Sequence, residues 1–200
     1  MRNLIIDNSL SFIKRNCSYD DVKLAEIKYG LEAIYILITK SIIIFTLSFI
    51  LGIFKEVVIF TLLYSLIRMF SFGLHATKSW ICLVSSLITF VTIPFICKYI
   101  DINIYLKTIL NIISLILIYK NAPADTYKRP IVNKKRRERY KFLSTFIAII
   151  MSFMSLVIRD NFLSNSLMFA TIVQNFMISP YIYKLFKLPY DNYKKYLNKV

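Results

Sequence analysis

The 200-residue chain holds three glycines, five prolines, three cysteines and a single histidine, and only 11 Asp and Glu stand against 26 Lys and Arg. So few turn-forming residues, with Ile and Leu gathered in long runs, exclude a transmembrane barrel, which needs short alternating segments joined by frequent turns. The cysteines, Cys17, Cys82 and Cys97, are odd in number and have no metal-ligand spacing. That excludes a closed disulfide framework and gives no zinc pattern, so neither metal nor cofactor is expected. The first thirty residues are polar and of mixed charge, so no cleavable signal peptide is expected. Internal repeats and interdomain linkers are also missing, and the chain reads as one domain over 1–200.

What is abundant is apolar surface. Hydrophobic residues make up 57% of the chain and the mean hydropathy is +0.58, more than a soluble domain of this size can cover and well suited to a bilayer. Six apolar runs, at 33–54, 57–72, 80–97, 102–119, 142–158 and 162–183, bracket the roughly twenty residues a helix needs to cross the hydrocarbon. The expected fold is all-α and polytopic, with about six transmembrane helices. Residues 1–30 mix Leu4, Ile5, Leu10, Phe12 and Ile13 with Asp7, Lys14 and Arg15, which predicts amphipathic helices along the membrane surface. The tail from Leu188 repeats Tyr and Lys and suits an interfacial anchor.

Orientation follows from charge. With the N-terminus inside, the inner segments 1–32, 73–79, 120–141 and 184–200 carry twenty Lys and Arg, whereas the outer loops carry Lys55, Lys98 and Arg159. The positive-inside rule then puts both termini, the basic loop at 120–141 and His75 on the cytoplasmic side of a multi-pass cell-membrane protein. Between two spans, the nine cations of 120–141 fit topology and anionic lipid, or an acidic peptide, better than nucleic acid.

His75 precedes Cys82 by seven residues, in Arg68-Met-Phe-Ser-Phe-Gly-Leu-His-Ala-Thr-Lys-Ser-Trp-Ile-Cys82. Imidazole and thiol supply the base and the sulfur of a nucleophilic pair. On one straight helix they would share a face, about 20° apart, but stand about 10.5 Å apart along the axis. Contact therefore requires a break near 73–79, with Cys82 in the first turns of the next helix, where the dipole favours thiolate. Without such a break the same residues read as a packed thiol and a solvated imidazole. Arg68 and Glu32 fall near the cytoplasmic boundary, where they can pair with one another or with substrate carbonyls, and Lys40 and Lys107 are expected to snorkel.

At Arg68…Gly73-Leu-His75-Ala76…Cys82, and again at Asn121-Ala-Pro-Ala-Asp125-Thr-Tyr-Lys128-Arg129-Pro-Ile131 followed by a Lys/Arg cluster, the chain resembles the AgrB family of membrane cysteine endopeptidases. The resemblance covers essentially the whole chain. One departure is Phe72, where the family often shows the first glycine of a pair. The resemblance implies cleavage of an AgrD-like propeptide through an acyl-enzyme thioester, and cyclisation to a thiolactone or lactone autoinducing peptide for quorum sensing. Carried over by position, Cys82 is the nucleophile and His75 the general base. Glu32, Arg68, Gly73, Asp125, Lys128 and Arg129 are the implied supporting or substrate-binding residues, and Asp125 and Glu32 are open as a third catalytic member. Membrane lipids are expected partners, and the family admits a homodimer. The competing readings are a non-enzymatic transporter or channel for a small peptide, with Arg68, Lys40 and Lys107 lining a polar path, and a membrane scaffold that binds through its basic loop.

Overall fold

The computed structural model describes residues 2–17, 19–74, 79–126 and 130–197; His75, Lys128 and Arg129 lie outside these described residues. The helices are α1 (Arg2–Asn16), α2 (Asp21–Ile50), α3 (Phe54–Ser71), α4 (Ser79–Leu87), a π-helical turn (Ile88–Thr92), α5 (Ile93–Tyr99), α6 (Ile104–Asn121), α7 (Lys134–Val157), α8 (Asn161–Ile178), α9 (Pro180–Leu185) and α10 (Lys194–Leu197). The chain divides into two units, Met1–Leu47 and Ser48–Val200.

Four stretches are long and apolar enough to cross a bilayer: Asp21–Ile50, Trp80–Tyr99, Ile104–Asn121 and Lys134–Val157. This is an all-α membrane protein. The run at 57–72 forms the 18-residue α3, and the run at 162–183 is split at Pro180 into the 18-residue α8 and the short α9; polar residues fall within both of the longer helices. Lys55, Glu56 and Arg68 interrupt α3, while α8 carries Ser164, Asn165, Ser166, Thr171, Gln174 and Asn175.

Two helices begin earlier than their apolar runs. The first run opens at residue 33, yet α2 starts at Asp21, because the Asp20 carboxylate accepts from the Lys23 amide (3.1 Å) and caps it. α7 starts at Lys134, so residues 134–141 of the expected basic loop are its first two turns. The Asn133 side chain caps it by accepting from the Arg136 amide at 3.1 Å. Lys and Arg are good helix formers, and a search for apolar runs sees only the portion beyond them.

In the first unit, Asp7 of α1 and Lys28 of α2 form an exposed ion pair at 3.9 Å, of a kind that contributes little. The α2 side chains Ile34, Leu37, Ile38 and Ile42 are exposed, as lipid-facing residues must be.

In the second unit α8 is the central post, packed by α3, α5, α6 and α7. Phe60, Tyr64, Ile67, Ile118, Ala148, Met151, Leu167, Ala170, Val173 and Ile178 form the core. The polar side chains of α8 point into this packing and serve backbone that lipid could not satisfy. Asn165 Nδ2 donates to the carbonyls of Cys97 (3.2 Å) and Ile100 (2.7 Å), where α5 ends. Asn175 Nδ2 donates to the Ser114 carbonyl at 3.2 Å.

Lys107 does not snorkel. It is 5% exposed and its ammonium donates to Ser164 Oγ. It shares a helical face with Asn111, Ser114 and Ile118, and all four are buried, so its stem leaves the helix toward α8. The third run is also not a uniform helix. Pro94 has no N–H to offer the Phe90 carbonyl, and the ladder widens into the π-turn, with the Ile93 amide donating to the Ile88 carbonyl.

Candidate active site

α3 ends at Ser71 and α4 begins at Ser79, so the chain does not run as one helix from 70 to 97. The break opens on a strip, Phe72-Gly73-Leu74, held on both sides. On one side lies the segment after α6: Gly73 N donates to the Ala124 carbonyl (3.0 Å), and Ala124 N donates to the Ser71 carbonyl (3.0 Å), forming a parallel bridge between Phe72 and Ala124. On the other side lies the end of α8, where Leu74 N donates to the Met177 carbonyl at 2.8 Å and Gln174 Nε2 donates to the Phe72 carbonyl at 2.7 Å. Met177 is available because α8 stops one residue later, which leaves the carbonyls of its last turn without intrahelical partners.

Gly73 is required here by geometry. Its φ is +115°, and a Cβ would stand 2.7 Å from the Met177 carbonyl oxygen. Phe72 has φ 56° and ψ −130°, backbone that glycine adopts freely and an L-residue adopts at a cost of about 1–3 kcal/mol. The position where the family often shows glycine is thus one where this backbone favours glycine. Phe72 is partly compensated by edge-on packing against Tyr140, with ring centroids 4.9 Å apart.

Arg68 reaches across the break. Its Nη1 donates to Tyr64 Oη (2.7 Å) and its Nη2 to the Leu74 carbonyl (3.0 Å). That carbonyl belongs to the peptide bond entering His75, so the guanidinium acts on the backbone that carries the imidazole. Tyr64, buried and edge-on to Phe90 at 5.6 Å, fixes the arginine from behind.

Cys82 is the fourth residue of α4, within its first turn, half-buried and in no disulfide. Its carbonyl accepts from Ser85 Oγ (3.1 Å) and Ser86 Oγ (2.6 Å). Cys17 is exposed and Cys97 buried. Among the described residues no group of His, Cys, Asp or Glu is arranged to hold a metal ion.

Asp125 is 2% exposed. Its Oδ1 accepts from the Asn192 amide (3.0 Å), and its Oδ2 accepts from the amides of Tyr193 (2.8 Å) and Ile131 (3.4 Å). The carboxylate fastens the C-terminal tail at Asn192 and Tyr193 to the segment after α6. Arg137 strengthens the seat by stacking over Tyr193 at 3.6 Å and pairing with Asp191 at 3.8 Å. The Tyr190 hydroxyl donates to the Asn121 carbonyl at 3.4 Å. Burial pushes this phenol up to about 12, so it stays a neutral donor.

Of the residues singled out in the sequence, Arg68, Gly73 and the Asp125 segment are brought together around the strip. Glu32 lies half-buried in α2, in the first unit. The residues that complete the arrangement, Tyr64, Gln174, Met177 and the Asn192–Tyr193 amides, do not stand out in an apolar-run reading. Gln174 alone carries a signal there, as an amide inside a hydrophobic segment.

The sequence pattern of the family described as Accessory gene regulator B matches residues 6–178. The chain belongs to the AgrB family. It is 34% identical to an AgrB-like protein of Listeria innocua over 179 residues, 88% of this chain and 87% of that protein. It is 29% identical to an AgrB-like protein of Clostridium acetobutylicum over 184 residues, 92% of this chain and 88% of that one. It is also 30% identical to the accessory gene regulator protein B of Staphylococcus aureus over 157 residues, 78% of this chain and 82% of that protein. No solved structure matches. The AgrB family match takes in the strip, Cys82 and the Asp125 segment, and stops at the last residue of α8.

Proposed function

We propose that this AgrB-family chain is a membrane-embedded cysteine endopeptidase that matures an AgrD-like propeptide into a cyclic autoinducing peptide for quorum sensing. The observation that carries the reading is local. The chain entering His75 is tied by the Arg68 and Gln174 side chains and the Ala124 and Met177 carbonyls, and Cys82 follows in the first turn of a new helix. Such preorganisation of backbone is what a base needs if it is to meet its nucleophile repeatedly in one geometry.

In this mechanism His75 takes the proton from Cys82. The thiolate adds to a peptide carbonyl of the propeptide. The C–N bond then breaks, and the departing amine takes its proton from the His75 imidazolium. The remaining acyl group is a thioester on Cys82. A Cys or Ser within the same acyl peptide attacks it, closes a thiolactone or lactone ring and returns the Cys82 sulfur. Water competes for the thioester, so a partly dry membrane boundary favours ring closure. Backbone amides near Gly73 or Cys82 are the donors available to a developing oxyanion.

Charge distribution supports placing the site, both termini and the start of α7 on the cytoplasmic face. Lys128, Arg129 and the cations opening α7 would hold the acidic leaving segment by charge-assisted hydrogen bonds. The transporter reading loses support from the positions of two of its charges. Arg68 is committed to Tyr64 and the Leu74 carbonyl, and Lys107 to Ser164.

Purified protein in liposomes, given the propeptide encoded beside its gene, is expected to release a product one water lighter than the linear peptide. His75→Ala is expected to stop its formation while leaving the protein folded. A linear product would remove the cyclisation step, and cleavage by His75→Ala would remove the assigned base.

A further inference from the structure

Three peptide planes lead from Phe72 into His75. The plane between Phe72 and Gly73 is gripped at both ends, its carbonyl by Gln174 Nε2 (2.7 Å) and its N–H by the Ala124 carbonyl (3.0 Å). The plane between Gly73 and Leu74 is held at its N–H by the Met177 carbonyl (2.8 Å). The last is held at its carbonyl by Arg68 (3.0 Å). At the first plane the local conformation is opposed to the residue's own preference. Phe72 sits at φ 56°, ψ −130° and Gly73 at φ 115°. Rotating that one peptide unit by about 180° would bring Phe72 to a ψ of about +50°, the left-handed well that L-residues do populate, and Gly73 to a φ of about −65°, equally open to it. The flip therefore relieves Phe72 and costs Gly73 nothing. What opposes it is the pair of hydrogen bonds at the ends of the plane.

We infer that Gln174 is a positioning residue for the reaction, locking the Phe72–Gly73 peptide against a flip that would redirect the chain entering His75. Gln174 is 0% exposed and comes from α8, far along the chain from the motifs. Its amide is the side-chain half of the lock, and the Ala124 carbonyl is the backbone half. A methionine at 174 would fill the same space and offer no donor. A glycine at 72 would remove the reason to flip, because φ near +60° with ψ near −120° is the first central position of a II′ turn, which glycine favours.

The inference rests on the proposed endopeptidase reading, and the test separates the two. In the liposome cleavage assay, Gln174→Met is expected to lower kcat about 10- to 100-fold with KM within about twofold of the parent, since Gln174 is fully buried and offers substrate no surface. Adding Phe72→Gly to Gln174→Met is expected to restore kcat to within about threefold of the parent, a rescue that loss of packing at residue 174 would not show. Gln174→Glu supplies a variant of the same shape should methionine not fold. A buried carboxyl donates only while protonated, so its kcat is expected to fall with rising pH relative to the parent. A parent-like kcat in Gln174→Met, a folded double variant that stays impaired, or a Glu variant whose profile tracks the parent would each overturn the inference. Failure of the parent itself to cleave would instead overturn the endopeptidase reading.

Discussion

Gly73→Ala is expected to reduce propeptide cleavage by at least about 100-fold, the scale of loss that follows a displacement of about 1 Å at a reacting group. Two costs coincide at this position. The φ of +115° is one that an L side chain rarely adopts, and the added methyl would stand 2.7 Å from the Met177 carbonyl oxygen and 3.3 Å from Ile178 Cγ2. The nearest neighbour is backbone at the end of the central helix, so it cannot rotate away as a side chain would. Strain and overpacking together are of order 2–5 kcal/mol. The strip can avoid this only by leaving α8, which breaks the bond from Leu74 N to Met177 and moves the residue before His75. Circular dichroism in detergent is expected to show the helices retained. Cleavage near the parent rate would show that the strip tolerates displacement and that its geometry is not what supports the chemistry.

The second large effect belongs to Asp125. Removing its carboxylate in Asp125→Ala leaves the amides of Ile131, Asn192 and Tyr193 without their acceptor. A buried amide left unsatisfied costs about 1–3 kcal/mol, more than the tail's remaining ties to Arg137 and Asn121 can hold against solvent. The tail is expected to detach rather than stay and pay that penalty. Hydrogen exchange at the Asn192 and Tyr193 amides should rise by at least about tenfold, and proteolytic cleavage between Pro189 and Lys194 should become rapid. Cleavage of the propeptide should fall as well, by about tenfold, because Asp125 follows Ala124, the partner of Gly73. Unchanged exchange at both amides would mean that the tail is held by its aromatic contacts alone.

The sequence makes some of this arrangement legible and hides the rest for physical reasons. Long apolar runs mark helices that face lipid, so α2, α6 and the Trp80–Tyr99 stretch are plain from composition. The break before α4 is also legible, since a straight helix would hold His75 and Cys82 too far apart to meet. α8 is less so. A central membrane helix serves its neighbours' backbone through Asn165, Gln174 and Asn175, and those contacts depend on which helices surround it. Lys107 misleads in the same way, because snorkelling assumes a lipid-facing stem and its helical face is set by α8. The tail reads as an anchor from its Tyr and Lys, yet Asp125, almost seventy residues earlier, determines where it lies. No local pattern announces a pairing at that separation, nor the positive φ at Phe72, which becomes visible only in its dihedral angles.

The central claim, that Cys82 carries the acyl group during maturation, is tested most directly on the protein itself. Intact-mass spectrometry of the protein mixed with its propeptide and quenched in acid should reveal an adduct equal to the N-terminal product less one water. Peptide mapping should place it on Cys82, and neutral hydroxylamine should release it, as a thioester requires. Cys82→Ala should give neither adduct nor cleavage. Cleavage that proceeds in Cys82→Ala, or an adduct that maps to Cys17 or Cys97 instead, would contradict the account.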